Sequence, residues 1–303
     1  SINSWILSDN QHTRGFFILL AVMNSDDLIQ KYSLKNSKFM DLYGINVHYC
    51  DEGRGEVILL LHGVFSSLHT FNKWTEILSQ SYRVIRLDLP GFGLTGPSID
   101  NEYAIDLYVG YVKKFMDNLG VQNFHIAGNS LGGWIAWEFA VANQDRVKKM
   151  ILINSAGYIT GWNYPLPFII AQTPVLRKVF NYEIVPKVVV RRFLRQVIID
   201  QSIVSDDLVN RYYDIIHREG NFEAFLRIAN SKFIQNTNAL KNLKTSTLVL
   251  WGSEDAWISS NDAEKFRKDL QHVSVKVYPG VGHIPMEEIP NESASDILNF
   301  LKK

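Results

Sequence analysis

The sequence has a single cysteine, Cys50, in 303 residues. That excludes an intramolecular disulfide and any cysteine-rich zinc site. Cys50 lies on a strand-like run before a turn and reads as structural. There is no charge excess either, with 31 Lys+Arg against 31 Asp+Glu. Without a basic stripe, nucleic acid is not an expected partner, and no acidic run suggests a disordered tail. Internal repeats and low-complexity segments are missing. So is an apolar run of membrane-spanning length: residues 16–23 are apolar and follow Arg14, but fall far short of the ~20 residues a span needs. That stretch reads as a signal-type core, a surface anchor or a helix packing on the body. Contact with a membrane surface and export stay open beside a cytoplasmic location. Nothing here speaks to oligomeric state. The 46% hydrophobic content suffices for one large core, or for a core domain carrying a smaller insertion.

What is present centres on residues 124–133, Phe-His-Ile-Ala-Gly-Asn-Ser-Leu-Gly-Gly. A strand-like run ends at Gly128, Ser130 follows two residues on, and Trp134 to Ala140 reads as a buried helix. G-x-S-x-G between strand and helix is the setting of a nucleophile elbow. The turn must be sharp, so Gly128 and Gly132 stand where a Cβ would collide. The helix start points its free N–H groups at the serine hydroxyl.

Around this stretch, strands and helices alternate. The spacing predicts a hairpin turning at Gly44, then strands over residues 57–61, 82–87, 124–128, 147–153, 247–252 and 273–278. Helices are predicted near 71–79, 103–119, 261–270 and 291–301. This is an α/β chain with a mostly parallel sheet covered by helices on both faces and antiparallel strands at one edge. The rhythm breaks between Ser155 and Leu243, where helical stretches such as 187–197 and 206–217 carry no buried strand. The expected organisation is an N-terminal extension (1–36), a core (37–154 and 244–303) and an inserted helical cap (155–243) roofing the site as a lid.

A serine hydroxyl needs a base, and the base an orienting acid. Gly282-His283-Ile284-Pro285 puts a histidine in a glycine-rich loop after the last strand. Gly252-Ser253-Glu254-Asp255 puts carboxylates after the strand before it, and the G-x-x-D spacing favours Asp255 over Glu254. The candidates are Ser130 as nucleophile, His283 as base and Asp255 as acid. His62 reads as holding its loop in shape, His125 as a core or interface residue, and His48, His69, His217 and His272 as surface or structural. Asp88, before Pro90-Gly91-Phe92-Gly93, reads as a structural turn. Neither a metal nor an organic cofactor is required.

Taken in order, the His62-Gly63 loop, Asp88-Leu89-Pro90-Gly91-Phe92-Gly93, Gly128 to Gly133, Gly252 to Asp255 and Gly282-His283 through Glu288 and Pro290 resemble the α/β-hydrolase superfamily. The resemblance covers about residues 37–155 and 243–303. It implies oxyanion donors at the backbone N–H groups of Val64 and Leu131. In similar epoxide hydrolases and dehalogenases an aspartate replaces the serine, so Ser130 points to esters, lipids, lactones, amides or C–C bonds. The G-N-S-x-G-G elbow looks like both bacterial carboxylesterases or lipases and C–C hydrolases of ring-fission products. The C–C hydrolases usually carry H-G-G-G-P-G, and His62-Gly63-Val64-Phe65-Ser66-Ser67 departs from it toward the esterase side. The proline that often follows the acid is also missing, Asp255 being followed by Ala256-Trp257-Ile258-Ser259. The resemblance therefore implies a serine carboxylesterase, lipase-like, acting on a small apolar ester. Phe65, Trp162, Phe168, Trp257 and Ile284 are the expected substrate contacts, although an apolar cap also needs such residues to pack. A non-enzymatic binding protein on this fold is the alternative of another class.

Overall fold

The computed structural model describes residues 24–158, 166–173, 185–231 and 234–303. Eight strands form one sheet in the order β1-β2-β4-β3-β5-β6-β7-β8. These are β1 (Ser37–Leu42), β2 (Ile45–Gly53), β3 (Val57–Leu61), β4 (Arg83–Leu87), β5 (Phe124–Asn129), β6 (Val147–Ile153), β7 (Ser246–Gly252) and β8 (Val273–Tyr278). β1 and β2 pair antiparallel, as do β2 and β4, and every other pair is parallel. The β1–β2 hairpin turns on Tyr43 and Gly44, both at positive φ (54° and 82°), as a two-residue turn matching the strand twist requires.

The central strands are apolar because both faces are covered. All five residues of β3 are buried. Leu59 and Leu61 enter one apolar cluster with the helices Ile105–Asn118 and Leu131–Ala142, while Ile58 and Leu60 enter the other with Phe71, Trp74 and Ile297. Period-2 alternation thus divides one short run between two core layers. Cys50 is buried, and burial pushes its thiol up to about 11, so it holds no thiolate at neutral pH.

The described residues between β6 and β7 form one small apolar cluster, Ala171, Phe225, Leu226 and Ala229, and otherwise pack into the two clusters of the sheet. Val190, Leu194 and Val197, spaced at helical intervals along the helix Lys187–Val197, pack in the cluster that holds Ile58 and Leu60. Ala224 and Ile228, on the helix Asn221–Asn230, join the opposite cluster. Tyr158 packs edge-on against Phe266 of the body. The helix Ser25–Tyr32 is bound to the helix Asp206–Ile216: Tyr32 Oη and Lys31 Nζ both donate to Asp214 Oδ2, at 2.5 and 2.7 Å. Among the described residues, no helix is long and apolar enough to cross a membrane. The apolar stretch 16–23 lies outside the described residues.

Candidate active site

The turn after β5 leaves Ser130 at φ 54°, ψ −116°, an energetically unfavourable backbone for a residue with a Cβ. The turn is also crowded. A Cβ on Gly128 would come within 2.1 Å of Gly132 O, and one on Gly132 within 2.2 Å of Leu61 O. Only glycine lets β3, β5 and the following helix approach this closely. The first bond inside that helix runs from Trp134 N–H to Ser130 O at 3.1 Å, so Leu131 N–H has no intrahelical acceptor.

His283 and Asp255 arrive from the loops after β8 and β7. His283 Nδ1 lies 2.7 Å from Asp255 Oδ2. The other oxygen, Oδ1, accepts Trp257 N–H at 2.8 Å and Ile258 N–H at 3.0 Å. Glu254 turns away, its carboxylate accepting from Ser253 Oγ. Ser130 and His283 line one pocket and are 7% and 3% exposed. Ser130 Oγ makes no hydrogen bond to a described residue, a looseness common before substrate binds.

Supporting residues hold these side chains in place, Asn129 and Glu288 from within the motifs and Asn154 from outside them. Asn154, just past β6 and at positive φ (44°), donates from Nδ2 to Asp255 Oδ2 at 2.7 Å. Asn129 Nδ2 donates to His283 O at 3.0 Å and Ile153 O at 3.1 Å, tying the elbow to the histidine loop. Glu288 Oε2 accepts Gly282 N–H, and Oε1 accepts Ile199 and Asp200 N–H. His283 N–H donates to Val197 O at 2.8 Å. The histidine loop is therefore tied to residues 197–200 as well as to the sheet. A polar asparagine at the carboxyl end of β6 was the one signal for Asn154.

His62 takes part in no proton transfer path. Its Nδ1 bonds Gly63 O at 2.7 Å and its Nε2 accepts Leu89 N–H at 3.0 Å. Burial lowers its ring pKa, which keeps it neutral. Val64 N–H has no acceptor among the described residues. Val64 lines the pocket beside Gly63, Phe65 and Ser66.

Of the expected substrate contacts, Phe65, Trp257 and Ile284 line this pocket. The Trp257 ring lies 5.5 Å from that of His283, centroid to centroid, and its Nε1 is buried without a partner among the described residues. Phe168 is not among the described residues that line the pocket. It packs edge-on against Phe225, which in turn lies 4.1 Å from Phe65, so it supports the wall from behind without lining it. Trp162 lies outside the described residues. The rest of the wall comes from the helix Lys187–Val197 through Val190, Phe193, Leu194 and Val197, and from Tyr212 and Ile216.

Sheet order, elbow and loop positions together define an α/β hydrolase. Comparison with known proteins agrees. A family model described as alpha/beta hydrolase fold matches residues 56–188. The chain is 27% identical over 267 residues to the 2-hydroxy-6-oxononadienedioate/2-hydroxy-6-oxononatrienedioate hydrolase of Paraburkholderia xenovorans (strain LB400), covering 85% of this chain and 91% of that one. It is 28% identical over 292 residues to the dihydrolipoyllysine-residue acetyltransferase component of the acetoin cleaving system of Cupriavidus necator, covering 92% and 71%. A solved structure of a membrane phospholipase A, described as a bacterial virulence factor, matches with a TM-score of 0.76 at 25% identity, covering 88% and 85%. The chain has the α/β-hydrolase fold, and the family model and the relatives support its place among the hydrolases of that superfamily.

Proposed function

We propose that this hydrolase cleaves carboxylic esters of apolar acyl or aryl groups through a serine acyl-enzyme. His283 takes the Ser130 proton as Oγ attacks the ester carbonyl. The oxyanion is held by the N–H groups of Val64 and Leu131. His283 then gives its proton to the leaving alcohol, and the acyl group stays on Ser130. Water, deprotonated by His283, attacks the acyl-enzyme. Ser130 leaves with the proton from His283, and the acid is freed. Asp255 holds the imidazole tautomer through Nδ1. The segment 155–243 acts as a cap that excludes water and holds the apolar group.

The observation that carries this reading is the composition of the pocket. Ser130 and His283 share it with Val64, Phe65, Val190, Leu194 and Trp257, and no lysine or arginine is among the described lining residues. The second reading, C–C hydrolysis of a ring-fission product, draws support from the relative in Paraburkholderia, whose named substrates are dioates. Such substrates bring carboxylates, and a buried carboxylate needs a cation or several donors. A wall without a cation among its described residues favours the neutral ester. A panel of 4-nitrophenyl esters of rising chain length, run beside one vinylogous diketone carboxylate, decides between them. Turnover of the diketone alone would replace the ester reading, and turnover of neither would leave a binding protein.

A further inference from the structure

Among the described lining residues, two hydroxyl side chains stand beside Ser130, those of Ser66 and Tyr212. They are 8% and 7% exposed, in a wall that is otherwise mostly apolar. Tyr212 Oη donates to Glu287 Oε1 at 2.9 Å. That carboxylate is anchored by further donors, with Arg211 Nη2 at 2.8 Å from each oxygen and Thr70 Oγ1 at 2.7 Å from Oε1. Burial pushes the Tyr212 phenol up, and the neighbouring Glu287 adds to this, so it stays protonated. Its one proton is committed to Glu287, and what it can offer a ligand is an acceptor oxygen.

Ser66 is the opposite case. Among the described residues its Oγ reaches only Ser67 O and Tyr212 Oη, both at 3.5 Å, the outer limit of a hydrogen bond. Its proton is available to an incoming oxygen. Two oxygens at that separation can both stand about 2.8 Å from a third. A hydroxyl fits that place best, because it accepts from Ser66 and donates to Tyr212 at once. A methylene would leave two buried hydroxyls without a ligand partner, and a carboxylate would face the tyrosine oxygen with no proton to give it.

We propose that Ser66 and Tyr212 form a hydroxyl-recognising subsite, with Arg211, Glu287 and Thr70 as its positioning residues. It gives preference to esters that carry a hydroxyl on the acyl or the alcohol side. This rests on the ester-hydrolase reading above and narrows its substrate class.

The test compares kcat/KM for matched pairs in two arms. One arm sets a 4-nitrophenyl hydroxyalkanoate against its deoxy parent, and the other a diol monoester against the simple alkyl ester. At least one arm should favour the hydroxylated member by about tenfold, the value of two neutral hydrogen bonds. Tyr212→Phe and Ser66→Ala should each bring that ratio toward one. The arm that responds tells which side of the ester carries the hydroxyl. Equal kcat/KM within both pairs, with Ser130-dependent turnover intact, would overturn the subsite and leave the ester reading standing. If no ester is turned over, binding still decides. Ketone isosteres of the same pairs are titrated into Ser130→Ala, where tighter binding of the hydroxylated ketone, lost on adding Tyr212→Phe, supports the subsite. Equal binding overturns it.

Discussion

Two Ser–His–Asp sets can be traced in this chain, Ser130–His283–Asp255 at the pocket and Ser37–His48–Asp88 at the antiparallel edge of the sheet. In the edge set both links are made: Ser37 Oγ to His48 Nε2 at 2.7 Å, and His48 Nδ1 to Asp88 Oδ2 at 2.7 Å. In the pocket set only the histidine–aspartate link is made. The edge set is also saturated by its surroundings. Ser37 Oγ accepts Leu34 N–H at 2.8 Å, and Asp88 accepts Leu68 and Leu94 N–H at 2.7 Å each. Burial works to raise the Asp88 pKa, but the His48 imidazole beside it, with His62 and His69 further off, holds it well below the usual carboxylate range. Ser37 begins a strand, has no helix start behind it and does not line the Ser130 pocket. Three residue types in hydrogen-bond order are therefore not enough. A reactive serine also needs an unspent hydroxyl, nearby N–H donors and room for a substrate.

The comparison breaks most clearly on activity. Ser130→Ala or His283→Ala should lower kcat for an aryl ester by about 10⁴-fold or more, with circular dichroism unchanged. Ser37→Ala should leave kcat as it is. A Ser37→Ala enzyme as dead as Ser130→Ala would mean that the saturated set does the chemistry.

The acids should separate in kind. Asp255→Asn favours the wrong imidazole tautomer and should cost up to about 10⁴ in kcat, whereas Asp88→Asn should leave the kcat of the folded enzyme unchanged. Asp88→Asn removes a fully buried carboxylate from its histidine and should cost about 3–5 kcal/mol in urea unfolding. If Asp88→Asn unfolds at the wild-type urea midpoint, the edge set is not the structural hub described here.

Acid should weaken the fold through its buried histidines, His62, His69, His125 and His217, each held below its ordinary pKa by burial. The ring pKa of His69 falls to about 4. The unfolded chain takes up these protons near the ordinary histidine pKa of ~6.5, and the folded chain resists them. Stability is therefore full above about pH 6.5 and falls as pH drops, by about 1.4 kcal/mol per pH unit for each ring still neutral in the fold. Asp88, with its depressed pKa, adds a further loss only below about pH 4. Urea midpoints measured from pH 8 to 4 check the slope, and a flat profile from 6.5 to 4.5 would contradict it.

The smallest expected effect lies on the pocket's upper wall. Each methylene of an acyl chain buried against Val190 and Leu194 contributes about 0.8 kcal/mol. Val190→Thr or Leu194→Asn should flatten chain-length preference more than it slows a short ester. Chain-length profiles that superimpose on wild type would show that the acyl group binds elsewhere.

The local features were legible in the sequence because they depend on neighbours along the chain. Gly128, Ser130 and Gly132 specify a strained turn by spacing alone, since only residues without a Cβ permit the contacts at the elbow. The five residues of β3 announce a doubly covered strand, and between residues 155 and 243 the strand rhythm gives way to helix. What only the tertiary structure decided are the relations between residues far apart. Ser37, His48 and Asp88 carry no motif in common, yet hairpin register and the loop after β4 bring them together. Asn154 reaches Asp255 across 101 positions, and Phe168 stands behind Phe65 because Phe225 comes between them. An apolar residue on a cap helix can face substrate or core with the same hydrophobic gain, so composition does not distinguish the two. That choice is made by which surfaces fill the space, and it exists only once the cap helices and the sheet are packed together.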